Sequence, residues 1–416
     1  MKKVIISLAA AAMLIPASLF AQETPVTLKP YGFVRSYAFF DSRATKSLAE
    51  DMFFFIPLDE NKVGDSDVNN VPSFNYQAIS TRLGLDLTGY QFGGTKINGK
   101  IEADFYCLNS GGNVGTLRMR QAWIDLIWNG RGSNGTTDLS LRIGQGWHPL
   151  AADLAHTVAM ETGAPFSPFH RGAQLLFNAT FDKKVTLTLG LLQQMQYRSS
   201  GPDGGSNKYQ RHAMPEVYAG VSYSNEGFLG RLGVSVLNIR PRYGYNAAGQ
   251  KYNEMLTTVN PFAFIQYTDG MFQLRAKTVL AQAGEHMQLN SGYAVSGVKD
   301  DGFSREYTPI RSSVSFVSVQ YGKTWQFIGM LGYHKNLGTV KDITGAVYFS
   351  GNGFRNINQM ARFSPTLAYN LGKMQFSLEY DLTGVEYGDL DVRSRVTENL
   401  HWVANHRLTA MAKFSF

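Results

Sequence analysis

Charged residues recur at every second position in several short stretches: Lys100, Glu102 and Asp104; Arg275 and Lys277; Glu379 and Asp381. The residues between them, Ile101, Ala103, Ala276 and Tyr380, are mostly apolar. In an extended chain an even spacing puts all such charges on one face. Cations and carboxylates fixed on facing surfaces across water set up a transverse field, which orients and sorts dissolved ions. Strand phase assigns Arg82, Lys100, Arg142, Arg198, Arg231, Arg275, Lys277, Arg362 and Arg407 to this wet face, with Arg35 ambiguous. The carboxylates of the same face are Asp86, Glu102, Asp104, Asp125, Glu216, Glu379 and Asp381. A set richer in Arg and Lys than in carboxylates favours anions. For any single member, an ion pair between neighbouring strands is the competing use.

Bond-making chemistry finds less support. A serine nucleophile needs a histidine within hydrogen-bond reach. Ser167 and His170 are close in sequence but lie in a Pro-rich segment. The eight His residues are scattered and show no HExxH-type ligand spacing, so no metal or other cofactor is expected. There is no P-loop, no dinucleotide fingerprint and no nucleic-acid-binding module. Cys107 is the single Cys, which excludes an internal disulfide and a thiolate cluster.

The elements that would carry the charges are strands. Leu83, Leu85 and Leu87 alternate with Arg82, Asp86 and Thr88, and Met374, Phe376, Leu378 and Tyr380 alternate with Gln375, Ser377, Glu379 and Asp381. At the end of the chain Leu408, Ala410, Ala412, Phe414 and Phe416 alternate with Arg407, Thr409, Met411, Lys413 and Ser415. Period two, kept over such lengths, indicates β-strands with one oily face. Sixteen candidates emerge: 29–41, 76–89, 96–107, 117–128, 138–148, 171–181, 184–197, 214–224, 228–240, 258–268, 271–283, 311–321, 324–334, 362–371, 373–383 and 405–416. The first, fourth, tenth and twelfth are weak in phase. Their lengths suit strands crossing a bilayer at a tilt.

Connections alternate in length. Short Gly-, Asn- or Asp-bearing turns such as QFGG, SNEG, TDG and NLGK alternate with long segments at 42–75, 149–170, 198–213, 241–257, 284–310, 335–361 and 384–404, with 108–116 brief. That pattern, with an even strand number, predicts an all-β chain: an antiparallel transmembrane β-barrel with both termini at the short-turn, periplasmic end. Unpaired backbone groups are costly in hydrocarbon, so the strands must close into a ring. Sixteen strands enclose more space than wall side chains fill. A secreted β-sandwich would not need the alternating connections, and no fixed-period repeat supports a solenoid.

Lys2 and Lys3 precede an apolar run, Val4 to Phe20, followed by Ala21, which predicts a cleaved export signal over 1–21. The net charge of +7 then falls to +5 with the loss of Lys2 and Lys3. Residues 22–416 are expected to form one barrel domain, reached by export to the outer membrane. Residues 22–28 leave no room for a plug domain ahead of the first strand.

The stretch GQGWHPLAADLAHTVAMETGAPFSPFHRGAQ, Gly144 to Gln174, is the most informative connection. Leu150 to Met160 reads as a short helix with Ala, Leu and Val at helical spacing, and Pro165 and Pro168 stiffen the return. A partly apolar segment needs a surface to pack on, so 149–170 is expected to fold into the lumen and narrow it. Asp153, His156 and Glu161 on this segment, and His148, His170 and Arg171 at its ends, are its polar candidates.

KPYGFVRSYAFFD, LRMRQAWIDLIW, LRIGQGWHPL and ETGAPFSPFHRGAQLLF resemble outer-membrane porins of the DcaP-like, generally trimeric type, in a form seen in Bacteroidetes-like bacteria. Gly144, Gln145, Trp147 and Pro149 carry the most specific part of the likeness. The resemblance implies sixteen strands, a third external loop at 149–170 forming the constriction, homotrimers, and passage of small, often carboxylated solutes. One departure stands out: this chain goes from Gln22 to its first strand without the helical coiled-coil segment of some members, so a trimer would rest on barrel walls and loops. The expected activity is passive diffusion of small hydrophilic, preferentially anionic solutes, with outer-membrane lipid and lipopolysaccharide as surroundings and no catalysis. The rival is a non-conducting, adhesin-like surface barrel whose loops fill the lumen. The long segment 42–75, with Phe53, Phe54 and Phe55 adjacent, would then bind a partner or pack inside.

Overall fold

Sixteen strands lie at the sixteen expected positions. The computed structural model describes residues 24–48, 53–78, 80–109, 112–158, 163–195, 197–202 and 208–416. The expected signal over 1–21 lies outside the described residues. The strands are β1 (Thr27–Asp41), β2 (Arg82–Phe92), β3 (Thr95–Asn109), β4 (Gly112–Arg131), β5 (Thr137–Trp147), β6 (Arg171–Phe181), β7 (Val185–Gln194) and β8 (Glu216–Asn225). They continue as β9 (Phe228–Ile239), β10 (Leu256–Asp269), β11 (Phe272–Gln282), β12 (Arg305–Gly322), β13 (Trp325–Gly338), β14 (Ile357–Leu371), β15 (Met374–Leu390) and β16 (Val396–Ser415). Each pairs antiparallel with its neighbours in sequence, and β16 returns to pair with β1 from Phe33↔Ser415 to Asp41↔Arg407. Gly32 and Phe416 exchange backbone hydrogen bonds of 3.3 and 3.0 Å, so the terminal aromatic completes the last rung.

Alternation decides which face is which. Leu189, Leu232 and Phe327 are 59%, 60% and 62% exposed on the outer wall, an apolar exposure that fits a lipid-facing surface. Along β16, Leu408, Ala410, Phe414 and Phe416 are exposed, while Arg407, Thr409 and Met411 are buried inward.

The strands run further than the period-two signal on the long-loop side. The segment expected as loop 384–404 is mostly ladder, with β15 and β16 paired up to Leu390↔Val396. Residues 292–298 and 347–349, expected in loops, form a further short pairing. Apolar residues lie on both faces there, Val385, Tyr387 and Val403 inward and Leu400 and Trp402 outward, so the ladder continues without a period-two hydropathy signal. The second candidate strand is interrupted instead: Ser73–Gln77 and β2 both pair with β1, and Ser80 between them has a left-handed φ of 62°.

Three long connections turn inward and occupy much of the ring's interior. Phe53, Phe54 and Ile56 of segment 42–75 join Val158, Phe166 and Phe169 of segment 149–170 in an apolar cluster with Tyr37, Phe39, Met360, Val385 and Met411 of the wall. A second cluster joins Leu150 and Ala155 to Phe262, Phe264, Val314 and Met330, with Met287 and Leu289 from the connection after β11. The Phe run therefore packs inside: Phe53 meets Phe169 edge-on at 4.8 Å, and Phe55 lies 3.6 Å from the Arg362 guanidinium.

The seam between first and last strands carries a buried clasp. Arg407 donates from Nε and Nη2 to Asp41 at 2.8 and 2.7 Å, and Asn405 donates to the same carboxylate at 2.6 Å. Phe39 and Phe55 cover the guanidinium at 4.4 and 4.0 Å. Truncating one partner of such a pair strands the other's charge, at about 3–5 kcal/mol. Arg407→Ala should therefore lower the temperature at which the barrel loses its heat-resistant gel mobility. The double change Asp41→Asn with Arg407→Met should recover much of the loss, because no buried charge is then left alone.

Candidate functional site

Segment 149–170 crosses the interior between two different walls. It leaves β5 at Trp147 and opens with a single 3-10 turn, Pro149–Ala151, where His148 Nδ1 accepts from Leu150 N at 3.1 Å. The helix expected over 150–160 is absent from the described part: residues 152–158 are irregular. The wall explains this. Arg275 and Lys277 donate to the carbonyls of Leu154 and Asp153, each at 3.0 Å. Ser318 Oγ accepts from His156 N at 3.2 Å, and Glu379 accepts from Val158 N at 2.5 Å. These are the backbone groups an α-helix would have used internally, so the wall has replaced the helix as their partner.

The expected wet-face residues separate into groups. Arg231 pairs with Asp153 at 3.0 Å and, with Arg275 and Lys277, holds the crossing segment to β9 and β11. Arg362 donates to the carbonyls of Ala164 and Phe54, clamping two connections at once. Lys100 pairs with Asp86 at 2.7 Å and Arg142 with Asp125 at 2.7 Å, both nearer the short turns. His156 Nε2 donates to Gln273 Oε1 at 2.7 Å, and burial together with Arg275 holds its imidazole down to about 4, so it stands neutral. Arg198 is not on the wall; it lies past the end of β7 and is exposed. Glu161 lies outside the described residues.

The side of the segment that faces β1–β4 is basic. A cavity of about 160 Å³ is lined by Arg35, Arg82, Arg118 and Arg120, with Glu102, Trp147 and Leu154. Arg118 is held bidentately by Asp104 at 2.7 and 3.2 Å. Arg120 bridges Glu102 and Asp104 at 2.7 and 2.6 Å. Arg35 donates to Ser80 Oγ at 2.6 Å, and Arg82 reaches Glu102 at 3.9 Å. Arg171, at the head of β6, stacks on Trp147 at 4.8 Å. Among the described residues, five guanidiniums and two carboxylates, Glu102 and Asp104, thus gather on this side. Of these five, only Arg82 and Arg171 were assigned by phase or position. Arg118 and Arg120 escaped because β4 carries a register shift, Glu102 opposing Gln121 and Ala103 opposing Met119. The signal was present in LRMRQAWIDLIW: its apolar residues sit at 117 and 119, then at 122, 124 and 126.

Both ends of the segment meet in a dry histidine cluster. His148 Nε2 lies 3.0 Å from Glu216, which Ser235 also contacts. His170 Nδ1 donates to the carbonyl of His286 at 2.9 Å, and His286 Nδ1 donates to that of Ala283 at 3.2 Å. The His148, His170 and His286 rings follow one another at 5.6 Å spacings.

The chain matches no family model and no curated protein. Solved structures do match over nearly the whole chain. The outer membrane channel DcaP of Acinetobacter baumannii superposes with a TM-score of 0.65 at 17% identity, covering 94% of this chain and 97% of that one. An anion-selective porin from Comamonas acidovorans gives a TM-score of 0.53 at 11% identity, covering 94% and 100%. Salmonella typhi OmpF, in a complex with daunomycin, gives 0.52 at 11% identity, covering 94% and 97%. The fold is the sixteen-stranded barrel shared with the DcaP channel and these porins. In this porin fold the segment after the fifth strand lies inside the ring, pinned on one side and facing the basic wall on the other.

The histidine cluster makes that placement sensitive to pH. Burial holds the imidazoles of His170 and His286 below their ordinary value, and neighbouring histidines add to this. Groups depressed in the folded state contribute stability that is present above the unfolded value, near 6.5, and is lost as pH falls. Nearby Glu285, pushed up to about 8 by burial, works in the opposite sense, losing its contribution as pH rises toward that value. The histidine part is isolated by comparison with His286→Gln: between pH 7 and pH 4 the wild-type thermal midpoint should fall more steeply than that of the variant.

Proposed function

We propose that the protein is an outer-membrane porin, a passive channel for small hydrophilic solutes with a preference for anions, carboxylates among them. The observation that carries this reading is the basic cavity between the β1–β4 wall and the inward segment, inside a closed ring with a lipid-facing exterior. Segment 149–170 acts as the constriction. Arg82, Arg118 and Arg120 meet the solute, whereas Arg231, Arg275 and Lys277 work through the loop they hold. Lys100, Arg142 and Arg171 contribute to the surrounding field, and His156 lines the path as a neutral hydrogen-bonding group. The likeness to a channel and to an anion-selective porin supports the same reading. Export by a cleaved signal over 1–21, residence among outer-membrane lipid and lipopolysaccharide, and assembly as a homotrimer through the barrel walls belong to it. No catalytic step is required.

A second reading has its own support. The two apolar clusters fill a large part of the interior, as a non-conducting surface barrel would require. Liposome swelling with small sugars separates the two: entry supports the channel, and exclusion of every sugar and of chloride supports the filled barrel.

In a planar bilayer with a KCl gradient the reversal potential should indicate chloride over potassium. Arg82→Gln and Arg118→Gln should each move it toward potassium, because the two carboxylates would then share fewer cations. Deleting 152–162 should raise the single-channel conductance; an unchanged value would place the segment off the path.

A further inference from the structure

The interior holds two polar chambers that are lined differently. The basic chamber between β1–β4 and the crossing segment measures about 160 Å³. A second chamber of about 350 Å³ lies against β11–β16 and is lined by His156, Arg275, Gln320, Gln326, Gln375 and Lys413. Guanidiniums supply most of the polar groups of the first, whereas the second combines three amides, Gln320, Gln326 and Gln375, with Arg275 and Lys413. Leu154 is the residue common to both linings. We propose, resting on the channel reading above, that Leu154 is the apolar sill between the two chambers and the residue that sets the conductance and size limit of the path.

Three features support the assignment. Its position is fixed by its neighbours' backbone: Lys277 holds the carbonyl of Asp153, Arg275 that of Leu154 itself, and Ser318 the N–H of His156. A side chain on a clamped main chain cannot swing out of the passage by moving the loop. Leu154 is half-buried, and unlike Leu150, Ala155 and Val158 it belongs to neither apolar cluster. Its exposed side therefore faces the chambers. Finally, it stands between the polar groups of the two linings, the guanidiniums on one side and the amides on the other. A solute leaving the guanidiniums must give up polar contacts before it reaches the amides, and an unpaired polar group at such a point is costly. Residues that clamp the segment thus set where the sill stands, and Leu154 sets how high it is.

The test uses the full-length protein in planar bilayers and in liposomes. Leu154→Ala should raise single-channel conductance and admit larger sugars in swelling assays. Leu154→Trp should lower conductance and reduce the size of sugar admitted. Leu154→Glu, which sets a carboxylate beside Arg118 and Arg120, should shift the reversal potential toward potassium. Each variant is first checked for the heat-resistant gel mobility of the folded barrel. Since the side chain is outside both apolar clusters, all three should retain it. A wild-type protein that conducts, with three folded variants keeping its conductance, sugar limit and reversal potential, overturns the sill and leaves the channel reading standing. A wild-type protein that admits neither ions nor sugars overturns the channel reading, and the sill with it.

Discussion

Hydrogen-bond closure in a solvent without hydrogen bonds governs the structure. Every N–H and C=O in the bilayer must find a partner within the chain, and a tilted sheet achieves this only as a ring. The pairing of β16 with β1 is therefore a requirement and not an accident of topology. It has a second effect. A ring of sixteen strands leaves an interior that the wall's own side chains cannot fill, so the long connections determine what the interior becomes.

The same accounting extends inside. Residues 152–158 form no regular element, and backbone groups of this stretch are taken up by Arg275, Lys277, Ser318 and Glu379. Charges with identical positions in the alternation thus have different uses. Those on β9, β11 and β14 are engaged in holding chain, and those on β1–β4 pair along the wall and line a cavity. Charge on the wet face says little by itself about contact with a solute. What decides it is whether a neighbouring loop supplies a carbonyl first.

Much of the fold was legible because lipid imposes a strict rule on alternate residues. Leu408 to Phe416 show it at full strength, and β16 lies where that pattern put it. The rule lapses where its cause lapses. On the long-loop side β15 and β16 continue with apolar residues on both faces, and a ladder was read as a loop. At Arg120 and Gln121 an extra residue flips the phase, so two arginines of the basic cavity were overlooked. Leu150 to Met160 carry helical spacing, yet helical spacing presumes that the segment keeps its hydrogen bonds to itself. Facing a wall of donors and acceptors, 152–158 did not. Nothing local in the sequence announces such partners, since they come from residues more than a hundred positions away.

The clasp between Asp41 and Arg407 joins positions separated by 366 residues. It forms between the first strand to leave the ribosome and the last. A truncated product lacking β16 would have two raw edges, a stranded carboxylate and an open gutter instead of a tube. Closure is accordingly all-or-none: a sheet lacking either end strand leaves backbone groups unpaired, and only the full set of sixteen strands completes the ring.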